Sequence, residues 1–93
     1  MTDSGGSRVT LRFWAAAREA AGAAEQTYDG VATLADLLAA AVAARGDDGG
    51  RLERVLARCS FLVDGDPAGR RDRTTVAVRP GSVVEALPPF AGG

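Results

Sequence analysis

The sequence predicts a single α+β domain in which a mixed β-sheet carries helices on one face. Its 93 residues, 46% of them hydrophobic, suffice for one small core and leave little room for a second domain. Period-two patterns near both ends of the chain indicate strands, and an apolar stripe of helical period lies between them. A helix that crosses from an early hairpin to a strand beside the first one favours a sheet with both parallel and antiparallel pairs.

The chain begins with small polar residues and then alternates. Residues 1–7 predict a flexible N-terminal arm, because they are mostly small and polar. Residues 8–14 alternate apolar and polar side chains, which predicts the first strand. The Ala-rich stretch 15–21 predicts a short helix that ends at Gly22. Residues 25–29 alternate more weakly and predict a second strand that runs back along the first.

The strongest helix signal begins at Thr33. The Thr33 hydroxyl and the Asp36 carboxylate have the spacing that caps the free amides of a first helical turn. An apolar stripe follows at helical spacing: Leu34, Leu37, Leu38, Ala41 and Val42. Gly46 predicts the end of this helix, residues 47–50 a flexible loop, and residues 52–56 a shorter second helix on the same side of the sheet.

The next segment predicts a strand followed by a polar connection. Residues 60–64 form the strand, and the turn signal Asp-Gly-Asp-Pro at 64–67 ends it. Three arginines follow within four positions, Arg70, Arg71 and Arg73. We interpret them as a solvated loop rather than a docking patch, because short charge clusters are usually exposed.

Two further strands complete the predicted sheet. Residues 74–78 alternate and predict one strand, and residues 79–82 place Pro and Gly as a type II turn prefers. Residues 83–87 are almost continuously apolar, which predicts a central strand. The order of elements is that of a ubiquitin-type roll, and we expect the domain to span residues 8–87.

Charge and residue usage exclude several classes of function. The 11 basic and 12 acidic residues nearly balance, and the sequence pI is about 5.3, which argues against a nucleic-acid partner. The chain has neither Lys nor His, so it lacks the usual general base and the commonest metal ligand. The lone Cys59 can form no internal disulfide and no thiolate cluster, and its apolar neighbours predict a small buried side chain. We expect no metal site.

Chain length favours a binding or carrier module over a self-sufficient enzyme. A domain of 93 residues can hardly enclose a deep catalytic cavity and keep a packed core. No stretch approaches the ~18 apolar residues of a transmembrane helix, and the N-terminus lacks the apolar run of a signal peptide. We therefore expect a cytoplasmic protein without a membrane partner.

The last six residues, 88–93, predict an extended tail. They are Pro88, Pro89, Phe90, Ala91, Gly92 and Gly93. The prolines end the last strand, because neither can donate a ladder hydrogen bond, and they hold the root of the tail extended. The aromatic ring offers one apolar anchor, and the glycines let the backbone pass a narrow channel. The pattern predicts that this tail threads into a partner.

Three segments match a known pattern. Residues 9–22 run from a strand into a short helix with an Arg-Glu pair and a closing Gly, and residues 60–65 match a strand and its turn. Residues 84–93 lead from a strand through two prolines to Gly-Gly. Together they resemble the MoaD/ThiS family of ubiquitin-like sulfur carriers, and most of all MoaD, the small subunit of molybdopterin synthase. The likeness spans residues 8–93.

The resemblance implies a β-grasp fold and a chemistry centred on Gly93. A MoeB/ThiF-like enzyme would use ATP to adenylate the Gly93 carboxylate, and a persulfide donor would convert it to a thiocarboxylate. Residues 88–92 would lie in the channel of a MoaE-like large subunit, where the sulfur builds the molybdopterin dithiolene. The chain itself would bind no cofactor and supply no catalytic side chain.

Other functions remain compatible with the sequence. The same thiocarboxylate could serve thiamine, cysteine or secondary-metabolite biosynthesis. In a different class, the chain could be a ubiquitin-like modifier whose Gly93 is joined to target lysines. An inert interaction domain is a third possibility, and it predicts that deletion of Gly92 and Gly93 changes no activity.

Overall fold

The computed structural model describes residues 8–89. Its strands are β1 (Val9–Phe13), β2 (Glu25–Tyr28), β3 (Ser60–Val63), β4 (Asp66–Pro67) and β5 (Val83–Leu87). Its α-helices are α1 (Ala15–Ala21), α2 (Leu34–Ala44) and α3 (Gly49–Ala57), and 3-10 turns lie at Gly46–Asp48 and Arg73–Thr75. The predicted arm, residues 1–7, and the tail residues 90–93 lie outside the described residues.

The five strands form one mixed sheet in the order β2-β1-β5-β3-β4. Strand β5 pairs in parallel with β1 and antiparallel with β3, so the predicted central position of residues 83–87 is confirmed. Strands β1 and β2 pair antiparallel, as predicted. Because β1 and β5 run in the same direction, the chain has to cross the sheet between them, and α2 lies in that crossover.

The core lies between one face of the sheet and the helices. The strands contribute alternate residues to it, among them Val9, Leu11, Phe13, Val84 and Ala86, all at most 2% exposed. The helices contribute Ala17, Leu34, Leu37, Leu52 and Leu56, which are equally buried. The alternation in β1 and the apolar stripe of α2 therefore face the core as the sequence predicts.

The ends of the first two helices follow the predicted chemistry. Helix α1 ends at Gly22, whose φ of 77° is the left-handed conformation that a C-terminal Gly permits. Helix α2 begins with a capping box, in which the Asp36 amide donates to the Thr33 hydroxyl oxygen at 3.1 Å. The Thr33 amide in turn donates to the Asp36 carboxylate at 3.3 Å. This reciprocal pair satisfies amides that have no partner inside the helix.

The prediction of a flexible loop at residues 47–50 is wrong. A 3-10 turn covers Gly46–Asp48, and α3 begins at Gly49, three residues before the predicted start. Gly49 is buried against α2, where a Cβ at this position would come within 2.5 Å of the Val42 carbonyl oxygen. The glycine is thus required for a close approach of two helices, not for loop mobility.

The prediction of a strand at residues 74–78 is also wrong. The first part is a 3-10 turn, and Ala77 forms only an isolated bridge with Thr33. The Val76 carbonyl accepts from the Leu34 amide at 2.8 Å, and the Val78 amide donates to the Ala32 carbonyl at 2.9 Å. This segment crosses the start of α2 and pairs with it instead of joining the sheet. Val76 and Val78 lie on the buried side and Ala77 between them is exposed, because the chain is extended there.

Of the two predicted turns, the one at residues 79–82 is present and the one at residues 64–67 is shorter than predicted. At 79–82 the Ser82 amide donates to the Arg79 carbonyl at 2.8 Å and Gly81 has a φ of 89°, so the predicted turn is present. At 64–67 the turn is shorter than predicted. Asp64 and Gly65 alone take positive φ values, and Asp66–Pro67 already forms β4 beside β3.

The arginine-rich connection is only partly the solvated loop that we predicted. Arg70 and Arg71 are exposed, and the Arg71 Nε donates to the Ala68 carbonyl at 3.0 Å. Arg73 instead lies over the Phe61 ring, 4.7 Å from its centroid. Its stem and guanidinium therefore cover the edge of the core.

Candidate functional site

The site begins where the central strand ends. Since β1 and β5 are parallel, their carboxyl ends meet at one edge of the sheet, with Phe13 opposite Ala86. The Trp14 amide continues this ladder and donates to the Ala86 carbonyl at 3.3 Å. On the other side Ser60, the first residue of β3, pairs with Leu87. The chain that leaves β5 at Pro88 is thus flanked by the end of β1 and the start of β3.

A cleft of about 730 Å³ lies at this edge, and we call it the tail-root cleft. Its lining residues are Trp14, Ala15, Ala16, Arg58, Ser60, Leu87, Pro88 and Pro89. Most of its wall is apolar, and Arg58 is the one charged side chain in that set. Of the predicted tail residues, the structure therefore places Pro88 and Pro89 in the cleft wall. Phe90, Ala91, Gly92 and Gly93 lie outside the described residues.

Trp14 is the most unusual side chain of the cleft. Within residues 8–89 it is the one large hydrophobic side chain that is exposed, at 48%. Its indole N–H donates to the Glu85 carboxylate at 3.1 Å, which connects β1 to β5 across the outer face of the sheet. The next residue, Ala15, has a φ of 50°, a left-handed conformation that is strained for any residue with a Cβ.

The outer face of the sheet continues from this cleft. The helices cover the opposite face, so the outward residues of β3 and β5 have no covering layer among the described residues. Leu62, Val83 and Leu87 are half-buried there, and Trp14 borders them at the cleft. A partly apolar sheet face beside an exposed aromatic side chain is typical of a surface that binds another protein.

Trp14 and Arg58 were not among the residues that sequence reasoning selected for the site. A signal existed for Trp14, because the alternation of β1 places this large side chain on the face opposite the core. For Arg58 the sequence held no signal. It becomes part of the cleft only because α3 ends beside β3, and β3 pairs with β5.

Side-chain chemistry elsewhere in the described region is sparse. Cys59 is 8% exposed, as predicted for a small buried side chain, and its Sγ donates to the Val55 carbonyl at 3.3 Å. Burial raises the pKa of this thiol to about 11, against a smaller lowering by Arg73. A thiol in that state is a poor nucleophile at neutral pH. Within residues 8–89 no three Cys, Asp or Glu side chains are grouped so that they could hold a metal ion.

None of the helices in the described part of the chain is both long enough and apolar enough to cross a membrane. The longest of them, α2, has 11 residues, whereas a spanning helix needs about 20. This finding concerns residues 8–89 alone.

Comparison with solved structures places the fold among ubiquitin-like proteins. The crystal structure of the small archaeal modifier protein SAMP1 from Haloferax volcanii is 25% identical with a TM-score of 0.73, over 92% of this chain and 99% of that chain. The solution structure of the Haloferax volcanii protein HVO 2177 is 28% identical with a TM-score of 0.70. The match covers 100% of this chain and 92% of that chain.

A third structure is a complex of subunits 1 and 2 of the molybdopterin-converting factor from Helicobacter pylori. It is 21% identical with a TM-score of 0.60, over 92% of this chain and 99% of that chain, a level of identity that shows the fold alone. These likenesses confirm the predicted ubiquitin-like β-grasp fold.

The sequence comparisons point the same way. No curated protein matches the chain. The ThiS family model does match, over residues 11–93, a range that includes the last three residues of β1 and the Gly-Gly end. On that match the chain belongs to the ThiS family.

Proposed function

We propose that this protein is a sulfur carrier that serves as the small subunit of a molybdopterin synthase. Its Gly93 carboxylate would be adenylated by a MoeB/ThiF-like enzyme and converted to a thiocarboxylate. The carrier would then donate this sulfur to build the dithiolene of molybdopterin. In this role the chain is the sulfur-donating subunit and contributes no catalytic side chain.

The observation that carries the proposal is the continuity between the central strand and the Gly-Gly end. The ThiS family match extends to Gly93, so the tail belongs to the matched pattern and is not an unrelated extension. Strand β5 is paired with β1 as far as Ala86 and with β3 as far as Leu87, which gives the tail a rigid base. Pro88 and Pro89 follow directly and limit the backbone freedom that threading into a partner would remove.

The chemistry requires activation because a carboxylate is a poor electrophile. Adenylation joins the Gly93 carboxylate to AMP and releases pyrophosphate, which creates a good leaving group. A persulfide then attacks the carbonyl carbon and expels AMP, and a second thiol reduces the resulting S–S bond to leave the thiocarboxylate. All catalytic groups for these steps lie in partners, in keeping with a carrier that has no His and no Lys.

A MoaE-like large subunit is the proposed recipient of the tail. Support comes from the Helicobacter pylori structure, in which subunit 1 of a molybdopterin-converting factor is bound to subunit 2. The half-buried outer face of the sheet and Trp14 adjoin the tail root, so a subunit that receives the tail would also cover this apolar surface.

A ubiquitin-like modifier is the second candidate. The similarity to the small archaeal modifier protein SAMP1, with a TM-score of 0.73, favours it. Both functions begin with adenylation of the terminal carboxylate and diverge at the acceptor, which is sulfur in one and a lysine amine in the other. Carriers for thiamine, cysteine or secondary-metabolite biosynthesis differ only in the molecule that finally receives the sulfur.

Intact-mass measurement tests the carrier function. The purified protein is incubated with its adenylating enzyme, ATP and a persulfide source. We expect a mass increase equal to one sulfur minus one oxygen, and its loss in a variant that lacks Gly93. An unchanged mass with an enzyme that adenylates another carrier of the same family would contradict the proposal.

The acceptor is tested separately. We expect the thiocarboxylate form, mixed with a MoaE-like subunit and the pterin precursor, to yield molybdopterin and return to the carboxylate form. Gly93 in isopeptide linkage to lysines in cell extracts, with no molybdopterin formed, would favour the modifier instead.

A further inference from the structure

The geometry points to Arg58 as a specificity-determining residue of the tail-root cleft. In this inference, Arg58 pairs with a carboxylate that borders the tail channel of the adenylating enzyme, while an apolar side chain of that enzyme packs on Trp14. The inference rests on the proposed function, because it needs an enzyme that receives the tail.

Arg58 is placed at the cleft by the fold and not by its neighbours in sequence. It follows α3 as the C-terminal capping residue, two positions before Ser60, which pairs with Leu87 at the end of β5. Its side chain lines the same cleft as Trp14 and the two tail prolines. A cation therefore stands beside the point at which the tail leaves the domain.

The charge of Arg58 is not neutralised within the described residues. Ion pairs there involve Arg8, Arg12, Arg45 and Arg51. The acidic residue on the adjacent helix α1, Glu19, lies 3.8 Å from Arg51. The acidic residue nearest to Trp14, Glu85, accepts the indole hydrogen bond. Arg58 is thus an exposed guanidinium available to a partner carboxylate.

The cleft offers two kinds of contact side by side. Trp14, Leu87 and the prolines supply an apolar wall, and Arg58 supplies a single positive charge at it. A partner segment with an apolar side chain next to an Asp or Glu complements both. Since Arg and Trp are enriched among the residues that dominate protein interfaces, we expect this pair to contribute most of the affinity near the tail root.

Distance separates Arg58 from the reacting end of the tail. Four residues follow Pro89, and when extended they span up to about 14 Å. A tail threaded in that form carries the Gly93 carboxylate, and the ATP that activates it, away from the cleft. Arg58 therefore fits a carboxylate at the mouth of the channel rather than the ATP phosphates inside it.

Steady-state turnover, followed as pyrophosphate release with ATP, a persulfide donor and a reducing thiol in excess, tests the inference with the full-length carrier and its adenylating enzyme. We expect Arg58→Glu to raise the KM for the carrier at least about tenfold with kcat unchanged, because the lost contact serves binding and not chemistry. Arg58→Gln should give a smaller rise. The KM of the wild type should increase with salt more steeply than that of Arg58→Gln.

Arg54→Glu is the matched control. Arg54 lies on the same helix, is exposed, and is not among the residues that line the cleft. We expect its KM to stay within about twofold of wild type, and urea unfolding should show that both glutamate variants are folded.

The two proposals fail in different ways. If the wild type is adenylated and Arg58→Glu has the same KM as Arg54→Glu, the role of Arg58 is wrong and the carrier function stands. If the wild type is not adenylated by an active enzyme of this class, the carrier function is wrong and this inference falls with it. A rise in KM that is equal for Arg58→Glu and Arg58→Gln and insensitive to salt would also overturn a role for charge.

Discussion

Trp14 is a bulky apolar residue in a position that leaves 48% of its surface exposed. Its indole N–H is satisfied by Glu85, so the ring is oriented along the outer face of the sheet instead of turning toward the core. Burial of the rest of that surface would be favourable, and a partner can supply it. The residue therefore contributes little to the core, and we propose that it acts at an interface.

Replacement of Trp14 tests this division. We expect Trp14→Ala to weaken binding to the adenylating enzyme by about 2 kcal/mol, the loss typical of a central interface residue, and to change the free energy of unfolding by less than about 1 kcal/mol. Calorimetric titration and urea unfolding measure the two quantities. Thr27→Ala, at an exposed position of β2 away from the cleft, is the control. Equal affinities for both variants would exclude Trp14 from the interface.

Titration of the Cys59 thiol should make the free energy of unfolding depend on pH. Burial raises the pKa of its thiol from 9.0 to about 11 in the folded protein, so the folded state holds this proton more tightly than the unfolded state. Stability from this group is therefore complete below about pH 9 and is lost as the pH rises toward 11. We expect the wild type to lose more stability than Cys59→Ala over that range, as measured by urea midpoints. Parallel curves would contradict a buried thiol.

At the level of elements, the two glycines that begin α3 have opposite roles. Gly49 lies where α3 approaches α2 so closely that a Cβ would meet the Val42 carbonyl oxygen at 2.5 Å. Gly50 is exposed, and a Cβ there would meet only the end of the Arg54 side chain, at 3.5 Å. One glycine permits the packing of two helices, and the other only lowers helix propensity.

Alanine substitution separates these roles. We expect Gly49→Ala to destabilise the protein by about 1–3 kcal/mol, because the backbone of α2 or α3 has to move. Gly50→Ala should stabilise it by up to about 1 kcal/mol, since alanine favours the helix. Urea unfolding of the two variants provides the comparison. A Gly49→Ala variant as stable as wild type would show that the helices are less closely packed than described.

The extended segment 76–78 shows how one pattern can serve two structures. Val76 and Val78 are buried and alternate as they would in a strand, yet they pair with the start of α2. The leading amides of α2 lack partners inside the helix, and the Val76 carbonyl supplies one to Leu34. An alternating pattern indicates an extended backbone with one buried side. Which element that backbone pairs with depends on the fold.

For the whole molecule, the central strand β5 connects the core directly to the C-terminal residues. Strand β5 is paired with β1 as far as Ala86 and with β3 as far as Leu87, and the buried core residues within 8–89 all precede Pro88. The last strand therefore holds the fold together and also delivers the tail to the cleft. Stability and function should depend on different parts of the same continuous segment.

A truncation after Pro89 tests this independence. We expect the free energy of unfolding of the truncated protein to lie within about 0.5 kcal/mol of that of the 93-residue chain, because the core residues described within 8–89 are all retained. It should form no acyl-adenylate, since Gly93 is absent. A marked loss of stability would mean that residues 90–93 belong to the folded domain and not to a separate tail.

The sequence by itself determined the fold class, because β-strands and amphipathic helices leave periodic patterns that survive without tertiary information. It also indicated the central strand, through a continuous apolar run, and the α2 capping box, through the spacing of Thr33 and Asp36. Its functional prediction for the Gly-Gly end stays a prediction, supported by a family match that reaches Gly93.

Only the tertiary structure decided which distant residues share a surface. Trp14 and Arg58 are 44 positions apart in the chain, and they line one cleft because β1 and β3 both pair with β5. The same holds for Gly49, which lies close to Val42 in the structure. The Gly-Gly pair at residues 49–50 predicts a loop, so the sequence gives no sign of this contact. Local patterns report the backbone conformation and the buried side of a segment, whereas the partner of each side chain depends on how the strands are ordered in the sheet.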